Sequence, residues 1–93
     1  MNNYFILYTK QDCDYCKKAI ALLHEKGKKY VLYELEDNDA LLGIKNKYAW
    51  PTTPIILEAR NREKMFIGGY DDLCRHIGEW YVEIGIYWKN RVP

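Results

Sequence analysis

Residues 4 to 35 read as strand, helix, strand, and that order constrains the fold more than any other feature of the chain. Tyr4-Phe5-Ile6-Leu7-Tyr8 is a continuous apolar run, the pattern of a strand buried on both faces. The polar stretch Thr9 to Asp12 follows. Cys16, Ile20 and Leu23 then fall on one helical face, and Lys17, Lys18, Glu25 and Lys26 take the other. Gly27 stops the helix, with basic residues around its C-terminal end. Tyr30 to Leu35 is rich in β-formers. Strands joined through a single helix in one sheet run parallel, so the chain opens with a βαβ unit.

The remainder adds helix, strand, strand, helix. Asn38-Asp39 caps a short helix that turns Leu41, Ile44 and Tyr48 inward; Gly43 weakens it and Trp50-Pro51 ends it. Ile55 to Leu57 is a third strand and Lys64 to Ile67 a fourth, joined as a hairpin by the polar residues Glu58 to Glu63. Gly68-Gly69 breaks the chain. A last helix starts near Tyr70 and carries Leu73, Ile77, Trp80, Tyr81 and Ile84 at helical spacing. The order β-α-β-α-β-β-α predicts an α/β fold: one domain over residues 1–93, with a four-stranded mixed sheet and helices on both faces.

Charge and apolar runs exclude several function classes. A net charge of +1 provides no long-range field to select nucleic acid or an anionic membrane. No apolar run approaches the ~20 residues of a membrane span, and MNNYFILYTK does not read as a secretory signal. Three cysteines are odd in number and too few for a disulfide-stapled scaffold, so a reducing, cytoplasmic setting is expected.

In that setting Cys13-Asp14-Tyr15-Cys16, at the head of the first helix, has three readings. As a redox pair, Cys13 sits where unpaired N–H groups and the helix dipole favour a thiolate, and Cys16 lies one turn deeper, spaced to attack a mixed disulfide formed on Cys13. As half of a zinc site, the pair would need ligands from Cys74, His76 and His24, whose spacing departs from the usual patterns. As packing residues, the two cysteines would have no chemistry.

Three motifs, in order along the chain, bear on this choice. Tyr8-Thr9-Lys10-Gln11-Asp12-Cys13-Asp14-Tyr15-Cys16 resembles the active-site loop of glutaredoxins, which carries a lysine three residues before Cys-Pro-Tyr-Cys. Pro51-Thr52-Thr53-Pro54-Ile55-Ile56-Leu57 resembles the family's Thr-Val-Pro segment leading into a strand. Ile67-Gly68-Gly69-Tyr70-Asp71-Asp72-Leu73 is similar to its glutathione-binding Gly-Gly-x-Asp-Asp-Leu turn. The resemblance runs from about Tyr4 to Ile77.

The resemblance implies a thioredoxin-like fold with three or more helices. It also implies a glutathione-dependent thiol–disulfide oxidoreductase that reduces protein disulfides and protein–glutathione mixed disulfides. Cys13 and Cys16 would be catalytic. Lys10, Tyr15, Lys47, Thr53, Pro54, Gly69, Tyr70, Asp71 and Asp72 would hold glutathione, the reducing co-substrate. Thr53-Pro54 suits a cis-proline turn whose backbone pairs with an extended ligand. Gly68-Gly69 permits close backbone approach, Asp72 would take the ligand's ammonium, and Lys10 would favour the Cys13 thiolate. No metal, nucleic acid or membrane is implied. A monomer is expected, with disulfide-containing or glutathionylated proteins, ribonucleotide reductase among them, as partners. Two residues depart from the family pattern: Asp14 stands for the proline and Thr53 for the valine. The Thr53 change is expected to be silent, because the contact there is through backbone. Asp14 keeps a second function open, an iron–sulfur cluster carrier in which the first cysteine and glutathione hold a cluster between two protomers. A third is a thioredoxin-like electron donor recharged by a reductase.

Overall fold

The computed structural model describes residues 3–78. The element order is β1 (Tyr4–Thr9), α1 (Asp14–Glu25), β2 (Tyr30–Glu34), α2 (Asn38–Tyr48), β3 (Ile55–Arg60), β4 (Glu63–Gly68) and α3 (Tyr70–His76). The strands form one mixed sheet in the order β2-β1-β3-β4. β1 runs parallel to β2 and antiparallel to β3, and β3 runs antiparallel to β4. This is the architecture that the strand and helix patterns predict.

β1 is interior, which accounts for its unbroken apolar run: Phe5, Ile6 and Leu7 are all buried. Alternation along β1 and β3 feeds two cores. Phe5, Leu7 and Ile56 pack with Ala19, Leu22 and Leu23 of α1 and Leu73 and Cys74 of α3. On the opposite face, Ile6, Ile55, Leu57 and Ala59 meet Ile44 and Tyr48 of α2 and Trp50 beyond it. β2 is an edge strand, and Val31, Leu32 and Tyr33 are exposed. No helix among the described residues is long and apolar enough to cross a membrane.

Three boundaries differ from the sequence reading. β3 runs to Arg60 and β4 starts at Glu63, so the hairpin has a two-residue turn, Asn61-Arg62, with both residues at positive φ (53° and 69°). Glu58 and Ala59 therefore belong to the sheet and not to a loop. Asp37, rather than Asn38, caps α2, its Oδ1 accepting the N–H of Asp39 at 3.1 Å. α3 spans Tyr70–His76, with Ile77 as its C-cap; Trp80, Tyr81 and Ile84 lie outside the described residues.

Candidate active site

The site forms where β1 ends. Asp12 takes a left-handed conformation (φ 57°) that turns the chain into α1. Cys13 is the N-cap of α1, and its Sγ accepts the N–H of Cys16 at 3.2 Å. A cap is ordinarily an oxygen that satisfies one of the first orphan N–H groups; here a sulfur does this. Cys13 and Cys16 are joined in a disulfide. Asp14 opens the first turn of the helix and is exposed.

A second segment closes on the pair from β3. The Thr53–Pro54 peptide is cis, and Pro54 is fully buried. Thr53 sets its Oγ1 3.3 Å and its carbonyl oxygen 3.7 Å from Cys13 Sγ. The β1–β3 ladder begins at Ile55, opposite Tyr8. The backbone of Thr53 thus lies beyond the sheet's own pairing, where an extended ligand can add to it.

The third segment is the turn into α3. Gly68 has φ 125°, and a side chain there would run into the Asp72 carboxylate, so the position requires glycine. Asp72 Oδ2 accepts the Gly69 N–H at 2.9 Å, and Oδ1 accepts from Arg75 at 3.1 Å.

A cavity of about 270 Å³ lies among these segments, lined by Tyr15, Thr53, Gly69, Tyr70, Asp71 and Asp72. A second, of about 300 Å³, holds Lys10 beside Cys13 and Cys16. The structure therefore gathers nearly all the residues that the sequence nominates, with Pro54 next to Thr53 in the chain. Lys47 lies apart: it is exposed on α2, with its Nζ 5.4 Å from the Tyr48 ring centroid, and it lines neither cavity.

Trp50 and Thr52 also line the first cavity, and the sequence reading missed them. Trp50 reads there only as a helix stop. In the structure its Nε1 would lie 3.5 Å from a Cβ at Gly69, and that buried nitrogen has no hydrogen-bond partner among the described residues. The sequence reading gives the Thr53 contact to backbone alone; in the structure its hydroxyl also lies 3.3 Å from Cys13 Sγ.

The zinc reading finds no geometry. Among the described residues no three His, Cys, Asp or Glu side chains come together as a metal set. Cys74 is buried in the α1–α3 core. His76 Nε2 donates to Glu58 Oε1 at 2.8 Å, and Arg60 reaches the same oxygen at 2.9 Å. Burial is the largest influence on Glu58 and acts to raise its pKa. The hydrogen bonds and charges of His76 and Arg60 outweigh it, and the carboxyl ends below its ordinary value. A cavity of about 550 Å³ adjoins this cluster, and no cysteine lines it.

The glutaredoxin family model matches residues 5–58 of the sequence. No curated protein matches. Among solved structures, oxidized glutaredoxin 2 from Chlamydomonas reinhardtii is 28% identical, with a TM-score of 0.57 over 86% of this chain and 78% of that one. The holo form of glutaredoxin C1 from Populus tremula x tremuloides is 22% identical, with a TM-score of 0.64 over 87% and 75%. A buckwheat glutaredoxin–glutathione complex is 19% identical, with a TM-score of 0.57 over 86% and 74%.

Proposed function

This chain belongs to the glutaredoxin family of thiol–disulfide oxidoreductases, and from that premise we propose that glutathione is its reducing co-substrate, used to clear protein–glutathione mixed disulfides and protein disulfides. The observation that carries this reading is the cavity beside the cysteine pair. It gathers a free strand end at Thr53, a glycine turn, and the carboxylates of Asp71 and Asp72. A small extended peptide bearing an ammonium group matches those features: backbone pairs with backbone and carboxylate with ammonium. The buckwheat glutaredoxin was solved with glutathione, in agreement with this reading.

On a glutathionylated protein, the Cys13 thiolate attacks the glutathione sulfur. The old S–S bond breaks, the protein leaves as a thiolate that takes up a proton, and Cys13 is joined to glutathione. A second glutathione thiolate attacks the glutathione sulfur of that adduct. Oxidised glutathione departs and Cys13 returns as a thiolate. On a protein disulfide, Cys16 displaces the substrate from Cys13 and leaves the Cys13–Cys16 disulfide, which two glutathiones then reduce. A reducing compartment with a glutathione pool is the setting this cycle requires.

The test is glutathione-coupled turnover of the wild type, Cys13→Ser and Cys16→Ser. Cys13→Ser loses all activity, whereas Cys16→Ser keeps mixed-disulfide reduction and loses the protein-disulfide route. Turnover with a thioredoxin reductase but none with glutathione would overturn the proposal.

A further inference from the structure

In the disulfide, Cys13 Sγ carries no hydrogen. Of the two atoms 3.3 Å apart, only the Thr53 hydroxyl can therefore donate. The same holds for a thiolate, which is a far better acceptor than a disulfide sulfur. The carbonyl oxygen of Thr53, 3.7 Å away, has no donor to offer; it can engage only a protonated thiol. The hydroxyl and the carbonyl thus favour opposite protonation states of one sulfur. The Cys16 N–H, 3.2 Å from the same sulfur, acts together with the hydroxyl.

We propose that the Thr53 hydroxyl donates a hydrogen bond to the Cys13 thiolate and is a catalytic residue of this protein. It stabilises the sulfur before attack, and again when Cys13 departs with the electron pair of the broken S–S bond. The chemistry rests on the functional reading above, but the hydrogen bond itself is independent of glutathione. Thr53 stands where the glutaredoxin pattern has valine, whose methyl groups fill the same space and donate nothing. This donor is therefore specific to the present site, and it offsets the carboxylate of Asp14 at the head of the same helix.

The charged groups facing Cys13 are Lys10, Asp12, Lys17 and Glu34, which share its cavity, together with Asp14 beside it and Asp71 and Asp72 across the Thr53 loop. None changes when Thr53 is replaced, so their fields cancel in a comparison of variants. The experiment is a thiolate-absorbance titration of the reduced wild type, Thr53→Val and Thr53→Ser, without glutathione. Thr53→Val should raise the Cys13 pKa by about one unit, a tenfold smaller thiolate share at lower pH. Thr53→Ser keeps the donor and should stay near the wild type. Attack on a small disulfide well below that pKa should slow only about threefold in Thr53→Val, because a more basic thiolate is a better nucleophile. An unchanged pKa in Thr53→Val, or an equal rise in Thr53→Ser, would overturn the assignment. A protein with these shifts but no glutathione turnover would refute the functional reading and leave the hydrogen bond standing.

Discussion

Asp72 holds Gly69 with one carboxylate oxygen and Arg75 with the other, at 2.9 and 3.1 Å. The residue assigned to a ligand's ammonium is thus also the residue that secures the start of α3. Its carboxylate remains about one-third exposed, so a ligand can still reach it.

This double role changes what a substitution reports. Asp72→Ala removes both the cap and the charge, and should cost about 1 kcal/mol of stability as well as glutathione affinity. Asp72→Asn keeps an oxygen for the Gly69 N–H and loses the charge together with the solvent-exposed pairing to Arg75. We expect it to unfold within a degree or two of the wild type, with the KM for glutathione about tenfold higher. Thermal melts and glutathione kinetics on the same samples check this. A normal KM in Asp72→Asn would remove Asp72 from the ligand site.

Two glycines should respond in opposite directions to alanine. Gly43 lies within α2 with open space where a methyl group would go, so Gly43→Ala should stabilise by about 0.5–1 kcal/mol and raise Tm by several degrees. Gly68 combines φ 125° with the Asp72 carboxylate at the position a side chain would take, and Gly68→Ala should cost about 2–3 kcal/mol. Denaturant midpoints measure both. A neutral Gly68→Ala would mean that the turn relaxes freely.

Glu58 should give the protein an acid-sensitive stability. Its folded pKa is depressed below the unfolded value of 4.5. Its contribution is therefore complete above the unfolded pKa and is lost as pH falls through the lower folded one. Urea midpoints from about pH 3 to pH 7 should fall toward acid in the wild type, and less steeply in Glu58→Gln. Identical slopes would assign the acid limb to other carboxyls.

Asp14→Asn should lower the Cys13 pKa, by less than about one unit because the Asp14 carboxylate is exposed and screened by solvent and salt. The direction opposes that of Thr53→Val, and the double variant should fall between the two. Equal Cys13 titrations in wild type and Asp14→Asn would show that Asp14 acts on the helix alone.

The chemistry was legible in the sequence because it is local. Cys13 and Cys16 lie on one helix turn, Thr53-Pro54 precedes a strand, and Gly68-Gly69 precedes a helix; each motif carries its own backbone requirement. What escaped depends on distant partners. Glu58 and Arg60 read as loop because a buried glutamate in a strand makes sense only with His76, eighteen residues on, as its donor. The Thr53 hydroxyl meets Cys13 across forty residues, and no pattern around position 53 signals that contact. Lys47 was placed by analogy on a helix face, and that face points its ammonium to Tyr48.

The sulfur cap of α1 ties reactivity to folding. In an unfolded chain no Cys16 N–H is held at Cys13, and the thiol has ordinary acidity. Once the chain folds, the Cys16 N–H and the Thr53 hydroxyl converge on the sulfur, and both are donors of the kind that favour a thiolate. Linkage runs both ways: whatever the folded chain's donors do for the thiolate, ionisation of Cys13 does for the fold. A nascent or damaged copy of the chain lacks these donors, so folding itself assembles the environment in which Cys13 attacks.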